Sequence, residues 1–160
     1  MIIGKWIIPS ANTGTVCPIF RRFFSCRETA KAQLSITALG IYKVYLNGHP
    51  VTEDFFTPGW TNYRSRLQVQ TYDLTPFLQE ENALTVTLAK GWFQGRIAHN
   101  HYDAIAESPR LLAALTITEP DGEIINIPTD KNWQWAESPI RFSDIYDGEV
   151  YDARIVPNQW

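Results

Sequence analysis

Gly40-Ile41-Tyr42-Lys43-Val44-Tyr45-Leu46-Asn47-Gly48-His49-Pro50-Val51 is the stretch that decides the fold. In an extended chain successive side chains point to opposite faces, so Tyr42, Val44 and Leu46 share one of them. Asn47-Gly48 follows at once, and both residues accept the positive φ values that a two-residue hairpin turn demands. A β-prone run, an Asn-Gly pair and a second β-prone run predict a β-hairpin.

The same alternation recurs on both sides of this stretch. Ile19 to Ser25 is a compact apolar-aromatic strand after Pro18, and Lys31 to Thr37 places Ala32, Leu34 and Ile36 on one face. Leu67 to Tyr72 alternates again, and Asn82 to Ala89 turns Leu84, Val86 and Leu88 inward. Leu111 to Thr118 and Glu123 to Ile127 flank Pro120-Asp121-Gly122, whose residue types form turns readily. Trp133-Gln134-Trp135 and Ile140 to Ile145 supply two further short strands. Helix is confined to the turn at Thr75-Pro76-Phe77-Leu78, with Thr75 as cap and Pro76 at the first helical position. About ten short strands with frequent turns predict an all-β fold, a β-sandwich of jelly-roll type, as one domain over residues 1–160.

Composition narrows the function. The chain has 160 residues, 44% of them apolar and 19% charged, which suits a globular domain. A net charge of −3 without a basic block argues against nucleic acid, whose phosphates need clustered Lys and Arg. Arg21-Arg22 lies inside an apolar run and reads as polar positions of a strand. No apolar stretch reaches the roughly eighteen residues of a membrane span, and Met1 to Pro9 has one Lys and too short an apolar core for a signal peptide. Cys17 and Cys26 are too few for a disulfide scaffold and lack metal-site spacing, so two free thiols in a cytoplasmic protein are expected. Six Trp, seven Tyr and eight Phe are the unusual part. Rings of this kind fill β-rich cores, and they also stack on the C–H faces of sugars.

Several strings in order resemble the N-terminal domain of bacterial α-L-rhamnosidases. They are Gly40-Ile41-Tyr42 with Leu46-Asn47-Gly48-His49-Pro50-Val51, Pro58-Gly59-Trp60-Thr61-Asn62-Tyr63, and Gln70-Thr71-Tyr72-Asp73-Leu74-Thr75. Glu81-Asn82-Ala83-Leu84, Gly91-Trp92-Phe93-Gln94-Gly95-Arg96 and Thr129-Asp130 with Trp133 continue the series. Asp144-Ile145-Tyr146-Asp147-Gly148-Glu149 and Tyr151-Asp152-Ala153-Arg154 close it. The resemblance implies a parent enzyme that hydrolyses terminal α-L-rhamnosides by inversion. It places the catalytic carboxylates on a helical (α/α)6 barrel after this region, which would make that barrel the domain's partner. It further implies that rhamnose binding with a calcium ion is open to this domain, since some related β-domains show it.

The residues themselves offer three kinds of chemistry. An inverting hydrolase needs two carboxylates roughly 6.5–9.5 Å apart. Asp144, Asp147, Glu149 and Asp152 are the one dense acidic cluster, and turn geometry around Asp147-Gly148 accounts for part of it. No catalytic residues are therefore assigned. The same four acids offer the hard oxygens that calcium takes; alternatively they pair with Arg141 and Arg154 or contact the catalytic barrel. His99 and His101 could ligate a transition metal, but no third ligand is near in sequence.

For carbohydrate the candidates are Trp60, Tyr63, Trp92, Arg96, His101, Tyr102 and Asp103, with Asn62 and Asn100 as further polar groups. Trp60 follows Pro58-Gly59, either presented outward or plugging the end of the sandwich. Gly91 to Pro109 reads as one long irregular stretch, and loops of that length are usually functional.

Overall fold

The computed structural model describes residues 2–97, 100–101 and 108–157. Two antiparallel sheets face each other across one apolar core. The strands are β1 (Pro18–Ser25), β2 (Lys31–Leu39), β3 (Ile41–Leu46), β4 (His49–Pro50), β5 (Gln70–Asp73) and β6 (Glu81–Ala89). They continue with β7 (Arg96–Ile97), β8 (Asn100–His101), β9 (Arg110–Thr118), β10 (Ile124–Pro128), β11 (Gln134–Glu137), β12 (Ile140–Asp144) and β13 (Gly148–Tyr151). One sheet runs β11-β1-β6-β3-β4 and the other β10-β9-β2-β5, while β12-β13 and β7-β8 are separate two-stranded ladders.

Alternation sets which residues meet. Val44 and Phe20 lie opposite Val86 from its two sides, and Leu46 lies opposite Leu84. In the facing sheet Leu34 pairs with Leu115 and Ile36 with Ala113. Each of these is buried. Burying such a side chain is worth about 1.5–3 kcal/mol, and the gain is collected only if the period of two is kept along every strand.

The Asn47-Gly48 turn is present, with φ of 53° and 82°. Its second arm is the two-residue β4 and not a long strand. Asn47 does more than turn the chain. Its Nδ2 donates to the Phe77 carbonyl and to Asn82 Oδ1, and its Oδ1 accepts the Ala83 N–H, each at 2.9 Å.

The helical turn is a 3-10 turn, Thr75–Phe77, and it is not capped by Thr75. Asp73 Oδ1 accepts the Thr75 N–H at 2.9 Å, while the Thr75 hydroxyl accepts the Ala32 N–H at 3.1 Å and ties the turn to β2. The strand expected over Leu67 to Tyr72 is shorter, because the Thr37 hydroxyl takes the Gln68 carbonyl at 2.7 Å where a ladder bond would stand. Trp133 precedes β11; its ring is buried and its indole N–H donates to the Pro128 carbonyl at 3.0 Å.

Gly91 to Pro109 is not one irregular stretch. It opens with a single helical turn, α1 (Gly91–Gln94), followed by the β7-β8 ladder. Among the described residues no helix is long and apolar enough to cross a membrane. Cys17 and Cys26 are both free thiols at opposite ends of β1.

Candidate functional site

The loop between β4 and β5 carries Phe55, Phe56, Trp60 and Tyr63 and forms no strand of its own. It is nonetheless fastened to the core. Tyr42 and Thr57 exchange bonds, the Tyr42 N–H reaching the Thr57 carbonyl at 2.8 Å and the Thr57 hydroxyl the Tyr42 carbonyl at 3.0 Å. Gln70 Nε2 donates to the Pro58 carbonyl at 3.2 Å, and the Thr61 hydroxyl donates to the Arg66 carbonyl at 2.7 Å. Asn62 folds the next turn, its Oδ1 accepting the Arg64 N–H at 3.2 Å.

This loop meets α1 through rings. Trp60 stacks on Trp92 with centroids 6.4 Å apart and planes 9° from parallel. Phe56 tilts against Trp92 at 5.5 Å, and Tyr63 meets Phe93 edge-on at 5.4 Å. Burial raises the Tyr63 hydroxyl to about 12, so it stays protonated and able to donate. Trp60 is no plug: it is 60% exposed, and in the same loop Phe55 is 74% and Phe56 53% exposed. Sequence reasoning missed Phe55 and Phe56. Their signal was two consecutive rings between Asp54 and Thr57, where alternation has already stopped.

Arg96 follows α1 and reaches the tip of the β12-β13 hairpin. Its guanidinium pairs with Asp147 at 2.8 Å and lies 5.8 Å from the Tyr146 ring centre. Its backbone N–H donates to Asp144 Oδ2 at 2.9 Å. Asp144 Oδ1 accepts the Tyr146 and Asp147 N–H groups at 2.8 and 3.2 Å. Desolvation pulls the Asp144 carboxyl upward, but these three backbone donors, with Lys90 nearby, outweigh it and hold the group below its ordinary value.

The four acids do not assemble a calcium site. Asp144 and Asp147 sit at the hairpin tip, while Asp152 lies at its base, where its N–H donates to the Pro139 carbonyl at 2.9 Å. Glu149 projects from β13 opposite Ser143. Asp152 pairs with Arg154 at 2.8 Å, and Arg141 pairs with Glu137 at 2.9 Å. Among the described residues no three His, Cys, Asp or Glu side chains converge to hold an ion. Trp60, Trp92 and Tyr63 are thus brought together, and Arg96 is engaged elsewhere. Of His101 only its backbone place in β8 is described; His99, Tyr102 and Asp103 lie outside the described residues.

The family model described as "Alpha-L-rhamnosidase N-terminal domain" matches residues 27–160. The chain belongs to that family. An alpha-L-rhamnosidase of Alteromonas sp. (strain LOR) is 40% identical to this rhamnosidase N-terminal domain over 95% of the chain, which spans 17% of that protein. The crystal structure of native alfa-L-rhamnosidase from Aspergillus terreus superposes with a TM-score of 0.82 at 38% identity, covering 91% of this chain and 18% of the other. The Streptomyces avermitilis alpha-L-rhamnosidase, solved in complex with L-rhamnose, superposes equally well at 38% identity, over 87% of this domain and 14% of its own chain. A rhamnosidase N-terminal domain of this kind is thus a small part of each relative.

Proposed function

We propose that the chain is a non-catalytic accessory domain of a longer polypeptide that hydrolyses terminal α-L-rhamnosides, packed by its aromatic corner against the catalytic remainder. One observation carries the reading: Phe56 and Trp60 stand exposed against the half-buried Trp92, with the exposed Phe55 next to Phe56 in the same loop, where isolated apolar residues would be unremarkable. Relatives in which the matching region is less than a fifth of the protein supply the partner for such a face. The two free thiols fit a reducing compartment, in keeping with a cytoplasmic place.

The test is a Phe56→Ser, Trp60→Ser double variant in the longer polypeptide. Its thermal transition should fall by several degrees, and the boundary after this domain should become sensitive to protease. An unchanged melt and unchanged cleavage would overturn the packing role. A second reading follows from the exposure of Trp60, whose ring could stack on a saccharide. In that case Trp60→Ser abolishes sugar binding and leaves the melt of the longer polypeptide alone.

A further inference from the structure

Asn47-Gly48 is the one Asn-Gly pair in the chain; every other asparagine precedes a residue with a side chain. Such a pair carries a reaction of its own, because glycine leaves its backbone nitrogen unobstructed and its dihedrals free. The Gly48 nitrogen loses its proton and bonds to Asn47 Cγ. The Cγ–Nδ2 bond breaks, and the amide nitrogen leaves as ammonia with that proton. Water then opens the five-membered imide at either carbonyl, giving aspartate or its β-linked isomer. One water is taken up and one ammonia released, with no change of oxidation state.

The fold blocks this reaction twice. Asn47 sits at φ 53°, in the left-handed region where ψ is about +30 to +60°. At that ψ its Cβ stands nearly opposite the Gly48 nitrogen across the Cα–C bond, whereas the imide ring needs the two on the same side. Turning the bond would pull apart the Leu46–His49 pair that closes the turn. The side chain is held as well. Its Nδ2 donates to the Phe77 carbonyl and Asn82 Oδ1, and its Oδ1 accepts the Ala83 N–H. Donation from Ala83 polarises the Cγ carbonyl, but that helps only once the carbon can reach the nitrogen.

The product does not fit back. An ionised carboxylate only accepts, and here it would face two acceptors, the Phe77 carbonyl and Asn82 Oδ1. Asn82 cannot answer by turning its amide over. Its Nδ2 donates to the Gln79 carbonyl at 2.6 Å while its Oδ1 accepts the Gln79 N–H at 2.9 Å. The β-linked isomer inserts a backbone carbon into a two-residue turn, whose length sets the pairing of its arms.

We propose that Asn47 is a deamidation site that the folded domain keeps shut and that local opening exposes, so that reaction removes a molecule from the folded pool irreversibly. The inference does not depend on where the rest of a longer polypeptide packs. The 160-residue chain is held in mildly alkaline buffer, natively and in urea beyond its unfolding transition. Peptide mass mapping that separates the two products follows each asparagine. In urea residue 47 should react before any other. Natively it should react at least about tenfold more slowly, the effect of an opening free energy of about 1.4 kcal/mol or more.

Hydrogen exchange at the Ala83 amide, whose acceptor is Asn47 Oδ1, reads the opening of the same contacts. Asn82→Ala removes one acceptor and should speed this exchange and residue-47 deamidation by the same factor. Urea below the transition does likewise in the parent, should that variant not fold. Asn47→Asp, the direct product, should lower the urea midpoint. Equal native and unfolded rates at residue 47 would overturn the proposal, as would faster reaction at another asparagine in urea. So would native deamidation that does not follow Ala83 exchange, or a parental midpoint for Asn47→Asp.

Discussion

Asn47 Nδ2 donates to Asn82 Oδ1 at 2.9 Å, joining a turn residue to the first inward position of the neighbouring strand. Asn82 is buried, and the same oxygen accepts the Gln79 N–H at 2.9 Å. The turn at Asn47 and the entry to β6 are therefore one polar knot at the rim of the core. Asn47→Ala removes three side-chain bonds and leaves a positive φ on a residue that resists it. The expected loss is about 2–4 kcal/mol, read by urea unfolding. Asn47→Gly keeps the backbone at ease but not the bonds, so it should recover only about 1 kcal/mol of that loss. Full recovery by glycine would show that the bonds contribute little.

Gly91 begins α1 with φ at 52°, and a Cβ built there runs into the Ile41 side chain. Gly91→Ala should cost about 1–3 kcal/mol in thermal or urea unfolding, from backbone strain together with overpacking. Ile41→Ala in the Gly91→Ala background should return part of the stability by opening the space. If the double variant is worse by the sum of both changes, the contact is not the source.

Asp144 gives the fold an acid limit. Its folded pKa lies below the unfolded value, so the folded state holds fewer protons through the acid range and stability rises with pH there. The contribution is complete above the ordinary carboxylate range and disappears as pH falls through the folded value. Urea midpoints of the parent should therefore drop between neutral pH and about pH 3. Asp144→Asn should start lower at neutral pH and lose less on acidification. Parallel pH profiles for the two proteins would place the acid limit elsewhere.

Residues 27–160, the part matched by the family model, leave out β1. That strand lies between β6 and β11 and carries Phe20 and Phe24, both buried. A chain starting at residue 27 should give no cooperative melt and a poorly dispersed amide spectrum, since each lost buried Phe alone costs about 3–5 kcal/mol. A cooperative transition within a few degrees of the parent would mean that β1 is dispensable.

Much of the fold was legible because the core depends on period alone. Ala32, Leu34 and Ile36, and likewise Leu84, Val86 and Leu88, alternate without exception, and each triplet lies in the core. The hairpin turn was legible because few residue pairs adopt two successive positive φ values. That Leu67 and Gln68 fall outside β5 was hidden, because the Thr37 side chain of the neighbouring strand β2 donates to the Gln68 carbonyl. The acidic cluster misled for a different reason. Nearness in sequence around Asp147-Gly148 suggests convergence, but a hairpin with arms of five and four residues separates its tip from its base by roughly 13 Å at the usual rise per residue. The aromatic corner was half legible: Trp60 and Trp92 stood out as singular residues. Their contact depends on how the irregular β4–β5 loop meets the helical turn α1, which no local pattern encodes.

The clamp between Tyr42 and Thr57 bears on how the domain could meet anything. A loop with no strands of its own would ordinarily have to freeze before a partner or ligand could settle, and that ordering entropy is subtracted from the affinity. Here the freezing accompanies folding itself, through Thr57, Asn62, Thr61 and Gln70. Phe55, Phe56 and Trp60 are already presented when an encounter begins, so a complex proposed at this surface would form with little ordering of the loop.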